Sequence, residues 1–406
     1  MTDMTLRIDA MGRRGEGVAH HEARTVFVPG TLPGEEVTAT GEGERLALAG
    51  ILQASPDRIA PFCKHYGRCG GCQLQHWREE PYRAWKATLI EEALAARGLG
   101  DVRVSEVIDA HGAGRRRVSL HVRRKGAEVT AGYMEPRSHT LLDIDRCPIL
   151  EPVLAGAFDI GRALGAKLGD CDVAIAATIA GLDVSVRAER KFVAQEHGRL
   201  AGFVSTLGLA RLSVNSEVIA TASPPRLQLG KAEVALPPGG FLQATALGEE
   251  TLARLVVENI GKAKMVADLF CGVGPFAFRL AERAKVEAYD SDRPAIAAIN
   301  AAAKATPGLK PLVAAARDLF REPLVPNEMK LFDAVVFDPP RAGAEAQAKQ
   351  LARSKVKTVV AVSCDAASFA RDAEVLVGGG FALTRVTAVD QFKWSSHVET
   401  VALFTR

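Results

Sequence analysis

The chain has 406 residues, too many for one ordinary core, so two or three domains are expected. Hydrophobic residues at 48% exclude wholesale disorder, and 51 basic against 48 acidic residues are too balanced to demand a nucleic-acid partner on charge alone. Seven cysteines in this length exclude a secreted disulfide framework, no apolar leader follows Met1, and no run reaches the ~18 apolar residues of a membrane span, so a soluble cytoplasmic protein is predicted.

Residues 1–55 read as all-β. Alternating runs at Leu6–Ile8, Thr25–Val28, Glu36–Ala39 and Ala47–Leu52 are broken by turns at Pro29-Gly30 and Leu32-Pro33-Gly34. Five short strands in this length suit a small barrel of the kind that binds single-stranded nucleic acid on an open face.

Residues 56–240 form a central β-rich α+β region. Cys63, Cys69 and Cys72 are spaced C-x5-C-x2-C among Gly67, Gly70 and Gly71, and Cys147 follows in R-C-P. Four cysteines so placed read as ligands of a [4Fe–4S] cluster or of tetrahedral zinc, with Cys171 and Cys271 outside the set. A helix is predicted over 80–96, with Trp85, Leu89 and Ile90 on one face, and it is assigned to pack on the C-terminal domain. In the basic run that follows, Arg115, Arg116 and Arg117 are candidates for gripping RNA phosphates.

Residues 241–406 alternate helix and buried strand, the pattern of a doubly wound α/β sheet. Such sheets bind ligands outside the carboxyl ends of their strands, where Asp268, Asp290, Asp318, Asp338 and Cys364 fall. The turn Asp268-Leu269-Phe270-Cys271-Gly272-Val273-Gly274 lacks the third glycine of a dinucleotide fingerprint and begins with an acid. An acid there favours a zwitterion over a pyrophosphate, and S-adenosylmethionine fits. Asp290 is placed to accept its ribose hydroxyls, and Asp318 its adenine amine.

Cys364, after the apolar run Thr358–Ser363, faces the same crevice. Uracil C5 is a poor nucleophile until a thiolate adds to C6, and a base must then remove the C5 proton. Cys364 is the candidate thiolate and Glu399 the candidate base, with His397 as a rival base.

These segments carry a resemblance. V-S-C-D-A-A-S-F-A-R-D around Cys364, D-Q-F-K-W-S-S-H-V-E ending at Glu399, D-P-P-R-A-G from Asp338 and D-L-F-C-G-V-G from Asp268 resemble the RNA uridine-5-methyltransferases. The N-terminal R-G-E-G-V-A and V-F-V-P-G-T-L-P-G-E look like a TRAM domain, and the four cysteines resemble the iron–sulfur pattern of the branch acting on 23S ribosomal RNA. The resemblance implies a class I methyltransferase domain, Cys364 as nucleophile and Glu399 as base. It places Gln243, Phe270, Gly272, Gly274, Pro275, Asp290, Asp318 and Asp338 around the methyl donor, with Asp338 also at the target base. It also implies a [4Fe–4S] cluster rather than zinc on Cys63, Cys69, Cys72 and Cys147.

Two departures from the family pattern stand out. Asp365 follows the nucleophile and is expected to raise the thiol pKa unless it points away, and Lys393 replaces a proline and is expected to offset Asp365. The rival readings are the same reaction on the T-loop uridine of transfer RNA, a TRAM-containing radical methylthiotransferase, and a non-catalytic RNA-binding protein.

Overall fold

A computed structural model describes residues 4–22, 24–189 and 194–406, without the side chains of 194–197. Six strands open the chain: β1 (Met4–Arg7), β2 (Ala10–Met11), β3 (Glu16–His21), β4 (Arg24–Pro29), β5 (Glu36–Thr40) and β6 (Ala47–Gln53). They form two three-stranded sheets, β1-β5-β6 and β2-β3-β4, around Leu6, Ile8, Val26, Val28 and Val37. The alternating runs named above leave out β3, which contains a glycine, a residue that often marks a break in a strand. Gly17 is instead a strand residue whose missing side chain leaves room for Thr31, since a Cβ there would lie 2.0 Å from Thr31 Oγ1. The buried carboxylate of Glu35 accepts from the backbone amides of Leu32 and Ser55 and pairs with Arg58, so the barrel is tied to the segment that leads to the cysteines.

Next come α1 (Glu79–Ala95) and β7 (Glu106–Asp109). The central sheet contains β8 (Arg117–Lys125), β9 (Glu128–Met134), β10 (Leu141–Asp143), β11 (Cys171–Thr178), β12 (Gly181–Ala188), β13 (Leu209–Val214) and β14 (Glu217–Thr221), ordered β10-β9-β8-β11-β12-β13-β14. Only the β12–β13 pair is parallel. Helices α2 (Ala157–Leu168) and α3 (Ala194–Thr206) cover it. A hairpin, β15 (Arg226–Leu229) and β16 (Ala232–Ala235), leads to the last domain.

That domain holds α4 (Ala246–Asn259), β17 (Met265–Leu269), α5 (Ala277–Ala281), β18 (Lys285–Asp290), α6 (Arg293–Ala305), β19 (Leu312–Ala316), β20 (Ala334–Phe337), α7 (Glu345–Ala352), β21 (Thr358–Ser363), α8 (Ala366–Gly378), β22 (Ala382–Asp390) and β23 (Glu399–Thr405). Its sheet runs β19-β18-β17-β20-β21-β23-β22-β7, with β23 antiparallel to both neighbours. The chain leaves β17 toward β18 and later returns to β20 on the other side, so the strand order reverses between β17 and β20 and opens a crevice at their carboxyl ends.

A boundary at residue 241 does not follow this sheet. β7 is its edge strand, parallel to β22, and α1 packs on α8 through Tyr82, Trp85, Leu89 and Ile90 in the same core as Phe337 and Phe404. Both elements precede the central sheet in sequence, and α1 is buried in a core shared with the C-terminal domain that Leu32, Leu74 and Trp77 also join. Among the described residues no helix is long and apolar enough to cross a membrane.

Candidate active site

At the end of β17 the backbone reverses sharply. Phe270 has φ +60°, Gly272 +52° and Gly274 +88°, and glycine supplies two of these left-handed positions at no steric cost. A Cβ on Gly274 would press on the Phe278 ring at 3.0 Å, whereas one on Gly272 would meet nothing within 4 Å, so the turn is packed on one side and open on the other. Pro275 leads into α5 and accepts a hydrogen bond from Arg279. Asp290 braces the turn: its Oδ2 accepts from Gly272 N at 2.9 Å and its Oδ1 from Asp292 N at 2.9 Å. Asp318 accepts from Phe320 N at 3.1 Å, and the Phe270 and Phe320 rings lie 5.3 Å apart.

Asp268 is fully buried, and neither of its oxygens meets a hydrogen-bond donor at bonding geometry. Burial, reinforced by the charges of Asp338 and Asp290, pushes its carboxyl well above the usual carboxylate range. Among the described residues no basic side chain pairs with Asp268, Asp290 or Asp338. A turn open at Gly272 and surrounded by uncompensated acids fits a cationic, phosphate-free ligand, as S-adenosylmethionine is.

On the other side of the crevice, β21 pairs with β23 so that Ser363 lies opposite Thr400. The next positions along that register are Cys364 and Glu399. Burial, then the charges of Glu399 and Asp338, raise the Cys364 thiol to about 11, while Arg341 acts in the opposite direction. Burial and the Asp338 charge likewise raise the Glu399 carboxyl. Gln391 Nε2 donates to Glu399 Oε1 at 3.0 Å and to Gln243 Oε1 at 2.7 Å, and Gln243 Nε2 donates to Asp338 Oδ2 at 3.2 Å. Four residues distant in sequence thus form one polar chain. Gln391 sits within the quoted D-Q-F-K-W stretch, but its role is invisible until β22 and β23 are paired.

Both departures are corrected by geometry. Asp365 turns away from the thiol and caps α8, accepting from Ser368 N at 2.9 Å, and it is not among the groups that raise Cys364. Lys393 does not meet Asp365; it pairs with Asp109 at 2.5 Å and Glu79 at 3.1 Å. His397 is pulled down to about 4 by burial and by Arg341, Lys86 and Arg115. Its Nε2 lies 3.2 Å from Arg341 Nη2, and because a guanidinium only donates, the imidazole lone pair is already used.

The loop between β22 and β23 is anchored from below. Lys86, with no exposed surface, pairs with Asp390 at 3.0 Å and also donates to the His397 carbonyl. Tyr82 donates to Asp390 Oδ2 at 2.6 Å and accepts from Trp394 N at 2.9 Å. Breaking such a pair leaves an uncompensated buried charge, so Lys86→Met is expected to cost about 3–5 kcal/mol, with Asp390→Asn in the same chain restoring much of it. Denaturant unfolding of the single and double variants checks this.

Cys63, Cys69, Cys72 and Cys147 are free thiols lining one cavity of ≈ 360 Å³, which Tyr133 and Arg115 also line. Burial pushes Cys72 up to about 12 and also raises Cys69 and Cys147. Arg115 Nε is buried there without a partner. Among the described residues no three Cys, His, Asp or Glu side chains group closely enough to hold a single metal ion. Zinc needs thiolates about 3.8 Å apart, given Zn–S bonds of ~2.3 Å. Cys63, Cys69, Cys72 and Cys147 are the residues that would hold a metal or cluster, with the Arg115 guanidinium beside them and over the Phe392 ring at 5.8 Å.

The arginine trio does not act as one exposed strip. Arg116 is buried, with Nη2 2.5 Å from Glu249 and Nε donating to the Gln243 carbonyl at 3.1 Å. Arg115 faces the cysteine cavity, and Arg117 lies 4.7 Å over the exposed ring of Phe241. Only Arg117 belongs to β8; Arg115 sits in an isolated bridge with Leu150 and Arg116 in a bend, and Arg115 and Arg117 both line the cysteine cavity while Arg116 turns inward.

The chain is similar to known proteins. Residues 238–406 match the family described as tRNA (Uracil-5-)-methyltransferase, and residues 2–40 match the TRAM domain. An uncharacterized RNA methyltransferase of Brucella suis is 44% identical over 99% of this chain and 97% of its own. The 23S rRNA (uracil(1939)-C(5))-methyltransferase RlmD of Shewanella piezotolerans is 30% identical over 99% of this chain and 95% of its own. Among solved structures, the tRNA (uracil-54, C5)-methyltransferase of Pyrococcus abyssi, in complex with S-adenosyl-L-homocysteine, superposes with a TM-score of 0.77 over 99% of this chain and 100% of its own; at 22% identity the likeness is one of fold.

Proposed function

The chain belongs to the RNA (uracil-5-)-methyltransferase family, S-adenosylmethionine-dependent enzymes, and on that premise we propose that it methylates C5 of a uridine in 23S ribosomal RNA by transient thiol addition. The observation that carries the mechanism is the β21–β23 register, which brings Cys364 alongside Glu399 at the mouth of the donor crevice. The ribosomal target is supported by the RlmD relative, whose likeness spans nearly the whole chain.

Cys364 Sγ, as thiolate, bonds to C6 of the ring and drives its electron pair toward C5. Bound S-adenosylmethionine supplies an electrophilic methyl on a sulfonium. Glu399 then removes the C5 proton, the C6–S bond breaks, and the ring double bond and the thiolate are both restored. Asp338, linked to Glu399 through Gln243 and Gln391, contacts the target base from the donor side. A uracil within folded RNA must be unstacked to reach Cys364.

The same reading assigns Cys63, Cys69, Cys72 and Cys147 to a [4Fe–4S] cluster, with Arg115 as counter-charge. The methyl transfer has no electron step, so the cluster's contribution is to staple a loop-rich segment. That segment also docks on the catalytic loop, since Gln73 N donates to the Trp394 carbonyl at 2.8 Å and Ser396 N to Gln73 Oε1 at 3.1 Å. The anaerobically purified protein is expected to be brown with about four irons per chain, and Cys72→Ala to lose the colour and the iron. Stoichiometric zinc in a colourless protein would overturn the cluster.

The enzyme is placed in the cytoplasm with its RNA. The target is tested by mapping 5-methyluridine in ribosomal and transfer RNA from a strain lacking the gene. Loss of one 23S site is expected, and loss confined to the tRNA T-loop would reject the ribosomal assignment.

A further inference from the structure

We propose that Gln391 is a positioning residue that holds the Glu399 carboxyl in its working orientation and couples it to Asp338, an inference that rests on the thiol-addition reading above. Gln391 is fully buried. Its Oε1 accepts from the backbone amides of Ala244 at 2.9 Å and Thr245 at 3.4 Å, at the start of α4. Backbone amides only donate, so the carboxamide cannot be turned over. Its Nε2 must therefore be the end that faces Gln243 Oε1 and Glu399 Oε1, at 2.7 and 3.0 Å.

Both hydrogens of that nitrogen are used, and both lone pairs of the oxygen. The same logic passes to Gln243: its oxygen is engaged, so its nitrogen meets Asp338 Oδ2 at 3.2 Å. The direction of every bond is thus set by the backbone amides of Ala244 and Thr245, which lead into α4. The helix also presses on Gln391, since a Cβ on Gly248 would lie 2.7 Å from Gln391 Oε1.

Each acid receives one N–H on one oxygen. Among the described residues no side-chain hydrogen bond engages Glu399 Oε2, the atom left to take the C5 proton. An N–H donor also favours the ionised carboxyl, the form a base needs, against the burial and repulsion that oppose it. The charged and titratable groups acting on Glu399 are Asp338 and Arg341 after β20 and Cys364 after β21. Glu249 of α4 is engaged by Arg116, and Lys86 of α1 by Asp390.

The test compares wild type with Gln391→Met, which keeps bulk but loses the amide, and Gln391→Glu, which keeps an acceptor for the two backbone amides but, ionised, donates nothing. Each is assayed for thermal unfolding, S-adenosylhomocysteine binding, methylation kinetics from pH 6 to 10, and covalent RNA adduct. We expect kcat to fall about tenfold or more with KM for RNA within about twofold, and adduct to accumulate on ordinary uridine RNA. The alkaline-rising limb of the pH–rate profile should move up by about one to two units. A folded variant with the wild-type profile overturns the proposal. If Gln391→Met fails to fold, Gln391→Glu decides, and unfolding of both also overturns it by making Gln391 a structural brace alone. Wild type that forms no adduct with 5-fluorouridine RNA would sink the thiol-addition reading itself, whereas a wild-type adduct with unshifted variants sinks only the role of Gln391.

Discussion

Cys364→Ala is expected to abolish methylation, with a loss on the order of 10⁵-fold or more, while leaving S-adenosylhomocysteine binding and the fold intact. On the proposed mechanism, no other described group activates C5. Glu399 can take a proton but cannot add to C6, and His397 has its lone pair committed to Arg341. The thiol is half-buried at the first position after β21, so alanine removes reactivity with little packing. Wild type incubated with 5-fluorouridine RNA and the methyl donor should yield a covalent complex on a denaturing gel, because C5 then carries fluorine in place of the proton the base removes, and fluorine cannot leave as F⁺ to let the C6–S bond break. The variant should yield none. Methylation by Cys364→Ala at anything near the wild-type rate would end the thiol-addition mechanism.

Glu399→Gln should separate the steps. Addition and methyl transfer do not require the base, but release does, so the variant is expected to accumulate adduct on ordinary uridine RNA. Turnover should fall by about 10²–10⁴-fold. In wild type, burial and the Asp338 charge raise the Glu399 carboxyl, so part of the population is protonated near neutrality and the rate climbs as pH rises and the carboxyl ionises. Stability moves the other way. A group whose folded-state pKa lies above its unfolded value binds more protons when folded, so its contribution is present at low pH and is lost as pH rises through the folded pKa. Glu399→Gln removes that titration, so its denaturation midpoint should depend less on pH between the ordinary carboxylate value of 4.5 and the folded value of about 8. An unchanged adduct level on ordinary RNA would take the base role away from Glu399.

Much of the C-terminal domain was legible because parallel strands buried on both faces read as short apolar runs, and the residue that ends each run is marked by a polar side chain. Asp290, Asp338 and Cys364 sit close to where that reading puts them. The barrel was less legible, since β3 contains a glycine, a residue that often marks a break in a strand. The arginine run was misleading: charge in a sequence looks solvent-facing, yet Arg116 spends its charge on Glu249, some 133 positions away. Asp365 and Lys393, neighbours of the catalytic motifs in sequence, turned out to serve a helix cap and the α1–β7 edge.

From the sequence alone came the candidate reacting groups and the period of the elements that carry them, because side-chain chemistry and local backbone preference are properties of short segments. Only the folded chain decided what each group faces. Which strand lies beside β21, which amides Gln391 receives, and that Lys86 stands beneath the loop between β22 and β23 depend on contacts between residues from about 40 to about 310 positions apart. Such contacts are selected by burying whole faces against one another, and no local pattern encodes the partner.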